Sequence, residues 1–132
     1  MIENIFSGKN ILIVEDNAIN QMLVKYAFAN TGVNTSVADN GIKALELMKS
    51  NTYDVILMDI YMPELDGYQT TEIIRNELHS TIPIIAMTAL SMKSEEEKCI
   101  SNGMNGYIPK PFTTDILFNE LKRVLDFSES LA

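Results

Sequence analysis

What this chain has little of narrows its identity first. A single cysteine, Cys99, in 132 residues rules out an intramolecular disulfide and any zinc site built from several cysteines. A reducing, cytoplasmic setting is the expectation. Basic residues are scarce, ten Lys and Arg against eighteen Asp and Glu, for a formal net charge of −8. Those ten are scattered rather than gathered into a stripe, which argues against a general DNA- or RNA-binding surface. No apolar run is long enough to cross a bilayer, and Met1-Ile2-Glu3-Asn4-Ile5-Phe6 lacks the basic n-region of a signal peptide. Internal repeats, low-complexity segments and linkers are absent as well. With 46% hydrophobic residues, a chain of this length is expected to fold as one domain, residues 1–132, around a packed core.

What is present is a regular alternation. Val55-Ile56-Leu57-Met58 is apolar without interruption and half β-branched, the pattern of a strand buried on both faces, and it stops abruptly at Asp59. Ile11-Leu12-Ile13-Val14 is a second such run, ending in Glu15-Asp16-Asn17. The helix after it has Ile19, Met22, Leu23, Tyr26 and Ala27 at the spacing of one inward face, with Asp16 or Asn17 as cap and Gly32 placed to end it. Residues 33–38 form a more polar strand, suited to a sheet edge. The next helix turns Ile42, Leu45 and Met48 inward, and another from Gly67 to Leu78 uses Thr70, Ile73, Ile74 and Leu78. Residues 82–87 are a fourth strand with Pro83 at its start. Ser91 to Ile100 is a charged, mostly solvated helix, with Cys99 in the core or at its margin. Gly106-Tyr107-Ile108 is a brief fifth strand. The last helix, capped by Thr113 or Thr114, buries Leu117, Leu121, Val124 and Leu125, and residues 127–132 are expected to fray. The methionines are dispersed filler. Five strands alternating with five helices through short connections imply right-handed βαβ crossovers and a doubly wound parallel sheet.

In such a sheet the carboxyl ends of the strands share one edge, where ligands bind. Glu15, Asp16, Asp59, Thr88 and Lys110 all fall at strand ends. Three carboxylates brought together repel and raise one another's pKa. A hard divalent cation relieves that repulsion, and Mg²⁺ in particular is held by one or two carboxylates, waters and a phosphate oxygen. A hydroxyl (Thr88) and an ammonium (Lys110) beside it complete a cradle for a phosphoryl group. Asp59 is then the candidate nucleophile, because carboxylates form aspartyl phosphates, with positioning and charge neutralisation supplying most of the catalysis. Alone, each residue has an ordinary reading: Glu15 and Asp16 as a helix cap, Thr88 as strand-end chemistry, Lys110 as a surface lysine between prolines. Their joint placement is what argues otherwise. His79, in the polar stretch Glu77-Leu78-His79-Ser80, reads as an exposed loop residue rather than a phosphodonor.

Ile13-Val14-Glu15-Asp16-Asn17, Leu57-Met58-Asp59-Ile60-Tyr61-Met62-Pro63-Glu64-Leu65-Asp66-Gly67, Met87-Thr88-Ala89 and Tyr107-Ile108-Pro109-Lys110-Pro111-Phe112, in this order and spacing, resemble the receiver domains of two-component response regulators. The resemblance covers a core from about residue 9 to 125. It implies a flavodoxin-like sheet of strand order 2-1-3-4-5. It further implies Asp59 as phosphoacceptor, with Mg²⁺ (or Mn²⁺ in its place) held by Glu15, Asp16, Asp59 and the Tyr61 backbone carbonyl. Thr88 and Lys110 would contact the phosphoryl group and Tyr107 would be an aromatic switch; the Lys110-Pro111 bond is often cis in the family. Implied partners are a histidine kinase or a histidine phosphotransfer protein, with no nucleic acid and no membrane contact by this domain, and a phosphorylation-dependent dimer is allowed. The chain would catalyse only its own phosphorylation and dephosphorylation. Asn20, Met92, Glu97-Lys98-Cys99 and Gly103-Met104 make it similar to receivers attached to hybrid histidine kinases. Two alternatives stand beside this reading. A haloacid dehalogenase-like phosphatase would need a second Asp where Tyr61 stands. A flavodoxin-like FMN-binding electron carrier would not place Glu15-Asp16 where a phosphate must sit.

Overall fold

The computed structural model describes residues 6–90 and 92–131, with side chains through residue 126. Ten elements alternate along the chain: β1 (Asn10–Val14), α1 (Ala18–Ala27), β2 (Asn34–Ala38), α2 (Gly41–Ser50), β3 (Val55–Asp59), α3 (Gly67–Asn76), β4 (Ile84–Thr88), α4 (Lys93–Ser101), β5 (Gly106–Pro109) and α5 (Thr114–Leu131). All strand pairings are parallel, as the alternation implied, and the order is β2-β1-β3-β4-β5, the flavodoxin-like arrangement that the resemblance implied. Parallel neighbours cannot be joined by a hairpin, so every connection crosses a face of the sheet as a helix. Every residue of β3 and β4 is buried, whereas β2 buries only Ala38. That contrast is the difference between a central and an edge strand, and it is written in their composition.

The two-residue period of the strands sorts their side chains into two cores. Ile11, Ile13, Val55, Leu57, Ile85 and Met87 face one way, against Val24 and Phe28 from the α1 side and Leu117, Phe118 and Leu121 from α5. Leu12, Val14, Ile56, Met58, Ile84 and Ala86 face the other way, against Ala44, Ile74 and Cys99 of α2, α3 and α4. Each fully buried Leu, Ile or Val contributes about 1.5–3 kcal/mol relative to exposure, so a one-residue slip of β3 would turn a whole face of the strand the wrong way. No helix among the described residues is long and apolar enough to cross a membrane.

Several sequence expectations are corrected. The inward face of α1 is not the one expected: Ile19, Met22, Leu23 and Tyr26 are exposed, Tyr26 by 82%, and the helix docks through Val24 and the nearby Phe28 instead. Of the expected stripe only Ala27, half-buried, packs against the core; the rest points to solvent. Gly32 does not end α1; the helix stops at Ala27 with Phe28 as cap, and Gly32 (φ +82°) turns the chain afterwards. Ile42 is exposed, and Ala44 takes the buried place on α2. The α3 helix ends at Asn76 and buries Thr70, Thr71 and Ile74, with Ile73 only half-buried. The α4 helix starts at Lys93, while the expected start, Ser91, lies outside the described residues. It is mostly solvated, as expected, with Cys99 in the core; the burial of Glu95 was not expected. The fraying expected of residues 127–132 is replaced by helix, because α5 continues to Leu131; Ala132 lies outside the described residues.

Candidate functional site

The site is built where three central strands end. Asp59 is the last residue of β3, and Gly67 explains how the chain leaves it. The Gly67 N–H donates to the Ile60 carbonyl at 2.7 Å, and a Cβ at Gly67 would lie 2.5 Å from the Asp59 carbonyl oxygen. Only glycine allows α3 to begin against the backbone of the strand end. Asp66 then caps that helix in a reciprocal box with Gln69, with bonds of 2.8 and 2.9 Å. On β1, Asn17 caps α1 by accepting the Asn20 N–H at 3.0 Å, and its own N–H donates to Glu15 Oε2 at 3.2 Å. The Gln21 side chain donates to the Glu15 carbonyl at 2.6 Å. Glu15 is thereby oriented by the start of α1, a support that the motif alone did not disclose.

Lys110 follows β5, its N–H donating to the Thr88 carbonyl at 2.7 Å, and the Lys110-Pro111 peptide is cis. Its ammonium reaches back between two strand ends, 2.7 Å from Glu15 Oε1 and 3.1 Å from Asp59 Oδ1. Glu15 and Asp59 are buried while Asp16 is exposed. One carboxylate oxygen from each of Glu15, Asp16 and Asp59 lies within 4.8 Å of the other two. The electrostatics follow from that crowding. Burial foremost, and then the Glu15 charge, push the Asp59 carboxyl up to about 7, against the pull of the Lys110 ammonium. Burial works against the Lys110 charge, but the hydrogen bond it donates to Glu15 and the two carboxylate charges hold its pKa above the ordinary lysine value.

Thr88 is buried at the end of β4, and its Oγ1 accepts the Leu90 N–H at 3.2 Å. Tyr107, on β5, is half-buried and its hydroxyl donates to the Leu90 carbonyl, so the loop after Thr88 is held from both sides. Burial first, then nearby acidic groups, raise the Tyr107 hydroxyl's pKa. Tyr61 is 52% exposed, and its hydroxyl donates to the Glu95 carboxylate at 3.1 and 3.2 Å. Tyr68 donates to the same carboxylate. Glu95 was missed at the sequence level because it sits in a run of three glutamates whose other two members, Glu96 and Glu97, are exposed. No spacing distinguishes it. Beside Glu15 and Lys110 a cleft of about 400 Å³ opens, lined also by Leu23, Tyr26, Pro111 and Phe112.

Residues 11–122 match the model of the response regulator receiver domain family. The chain is a response regulator receiver domain. Among curated relatives, this receiver domain is 38% identical to hybrid signal transduction histidine kinase B of Dictyostelium discoideum over 131 residues, which is 89% of this chain and 7% of that protein. It is 36% identical to the sensor histidine kinase RcsC of Salmonella typhimurium over 107 residues, 81% of this chain and 11% of that protein. The receiver domain thus spans a small fraction of the curated relatives it matches. Among solved structures, the receiver domain of a sensor histidine kinase from Pseudomonas aeruginosa superimposes with a TM-score of 0.81 at 38% identity, covering 91% of this chain and 99% of that one; it is described with a magnesium ion coordinated in the active-site cleft. The phosphatase and electron-carrier alternatives find no support in these similarities.

Proposed function

We propose that Asp59 is the phosphoacceptor of a two-component phosphorelay and that this receiver takes its phosphoryl group from a phosphohistidine in a Mg²⁺-dependent reaction. The observation that carries the reading is the Lys110 ammonium bridging the buried Glu15 and Asp59 carboxylates at 2.7 and 3.1 Å, with Asp16 completing an oxygen cluster within 4.8 Å. Such a donor set suits a hard cation: three carboxylates, one already driven toward its protonated form. Glu15, Asp16 and Asp59, with the Tyr61 carbonyl, would hold it. When bound, Mg²⁺ (or Mn²⁺) neutralises charge on the carboxylates and on the transferring phosphoryl group.

The remaining work falls to this chain's own residues. A carboxylate oxygen of Asp59 attacks phosphorus, the bond from phosphorus to the donor imidazole nitrogen breaks, and that nitrogen keeps the electron pair. Lys110 and Thr88 would then contact phosphoryl oxygens, the first as a point charge and the second through its hydroxyl proton. Thr88 would draw the loop after β4 toward the phosphoryl group, and Tyr107, now tied to the Leu90 carbonyl, would turn inward and alter the face formed by α4, β5 and α5. On this reading the chain would catalyse only its own phosphorylation and dephosphorylation.

The partner would be a histidine kinase or a histidine phosphotransfer protein. Supporting this is the exposed apolar face of α1, with Ile19 and Met22 each 68% exposed, running beside the cleft that reaches Glu15 and Lys110. A patch of that kind next to a reactive group suits a docking protein that must bring its own reactive atom to the cleft. Intact-mass measurement after incubation with acetyl phosphate tests the core of the reading. Wild type should gain one phosphoryl group with Mg²⁺ and none with EDTA, and Asp59→Asn should gain none; equal labelling of the Asn variant would overturn it.

A further inference from the structure

Among the described residues, a third buried carboxylate lies outside the strand-end cluster of Glu15 and Asp59. Glu95, on the first turn of α4, is only 7% exposed while Glu96 and Glu97 beside it face solvent. Its carboxylate takes hydroxyl protons from Tyr61, in the loop that leaves Asp59, and from Tyr68 on α3. The Tyr68 hydroxyl also lies 3.7 Å from Cys99 Sγ, and the Lys98 ammonium sits 4.5 Å from the centre of the Tyr68 ring. Three elements therefore meet on one carboxylate: the β3–α3 loop, α3 and α4. A charge favourable to the α4 dipole would explain an acidic residue in that turn, but an exposed one would serve the dipole equally well. It does not explain why two tyrosines converge on it.

We infer that Glu95 is a positioning residue for phosphoryl lifetime, anchoring the side chain of Tyr61, two residues after Asp59, and keeping its hydroxyl occupied. This rests on Asp59 being the acceptor, as proposed above. Loss of the phosphoryl group requires a water oxygen to attack phosphorus in line with the Asp59 oxygen. The phosphorus–oxygen bond to Asp59 breaks, the electron pair returns to the carboxylate, and inorganic phosphate leaves with the water's proton released to solvent. Tyr61 stands two residues after Asp59. Its single O–H proton, given to Glu95, is not free to bind and aim a water, and the fixed ring stays as an obstacle. Freed from Glu95, the ring moves and water gains access.

The test is the first-order decay of protein labelled with acetyl phosphate and Mg²⁺, followed by intact mass after the donor is removed. Tyr61→Phe and Glu95→Leu should each speed decay by about three- to tenfold, the scale of one net hydrogen bond. The double variant should be no faster than either alone, because both cut the same link. Glu95→Gln, which keeps an acceptor for the tyrosine hydroxyls, should restore most of the wild-type lifetime, and Glu97→Ala should decay as wild type does. Unchanged decay in Tyr61→Phe, or additive effects in the double variant, would overturn the inference while leaving Asp59 as acceptor. If Glu95→Leu fails to fold, Tyr61→Phe and Glu95→Gln still decide the matter. Absence of labelling in wild type would overturn both readings together.

Discussion

The crowding at Asp59 has a thermodynamic consequence that Asp59→Asn should expose: the variant should be more stable than wild type in the absence of divalent cations. The carboxyl rises from 3.8 to about 7 in the folded protein, chiefly through burial and then through Glu15. Below pH 3.8 the group is protonated in both folded and unfolded chains and costs nothing. Between 3.8 and about 7 the unfolded chain ionises while the folded one holds its proton, so stability falls as pH rises, and above that range the penalty is constant. A shift from 3.8 to about 7 amounts to about 4 kcal/mol at pH 8. At pH 5 the same reasoning leaves about 1–2 kcal/mol.

Asparagine keeps the shape and an acceptor oxygen for Lys110 at the 3.1 Å contact but removes the charge; the shorter bond to Glu15 at 2.7 Å remains. The pull of Lys110 is already part of that rise, so the variant should gain up to about 4 kcal/mol at pH 8 and much less, about 1–2 kcal/mol, at pH 5. Urea unfolding in EDTA at the two pH values reads this directly, as a midpoint increase on the order of 1–2 M at pH 8. Saturating Mg²⁺ should narrow the gap, since an ion bound by the native carboxylates stabilises wild type more than a variant with one fewer charged ligand. A variant no more stable than wild type at pH 8, or a gain equal at both pH values, would refute the account of Asp59 as a strained charge.

Gly67→Ala would bring its Cβ to 2.5 Å from the Asp59 carbonyl oxygen and 2.8 Å from Ile60 Cα; a loss of about 1–3 kcal/mol, with weaker Mg²⁺ binding in a calorimetric titration, is the expected result. Ile19→Asp alters a side chain that is 68% exposed. Thermal unfolding should move little, within about 0.5 kcal/mol, and labelling by acetyl phosphate should persist, while transfer from a phosphorylated histidine phosphotransfer protein should fall at least severalfold.

The sheet was legible because its central strands leave no choice. Val55-Ile56-Leu57-Met58 and Ile11-Leu12-Ile13-Val14 fit only an interior strand covered on both faces, and their abrupt polar ends fit only an edge that binds something. The order of the ends along the chain, with the parallel topology, gathers Glu15, Asp16, Asp59 and Lys110 without any appeal to side-chain detail. Contacts set by orientation were not legible. Nothing in Ser94-Glu95-Glu96-Glu97 singles out the carboxylate that two tyrosines reach, because helix rotation decides which glutamate turns inward. Neither could periodicity show that the start of α1 grips Glu15 through the Asn17 N–H and the Gln21 amide.

The failure on α1 is of a different kind. Ile19, Met22, Leu23 and Tyr26 share one face of a helix, and in a chain viewed alone an apolar face is assigned to the core. Period establishes that a face is apolar and says nothing about which surface will cover it. Here the core is supplied by Val24 and Phe28, which meet the aromatic ring of Phe118 and its neighbours, with Phe28 and Phe118 centroids 5.7 Å apart. Most of the apolar stripe on α1 is left exposed, and it lies where the cleft opens to Glu15 and Lys110. On the proposed reading, a phosphohistidine must reach a buried carboxylate and its carrier must leave afterwards. An exposed hydrophobic face beside the cleft would meet both needs, since it adds affinity without adding charge to a site already crowded with it. The residue pattern that misled the assignment of the inward face of α1 is thus the one that the proposed docking surface would use.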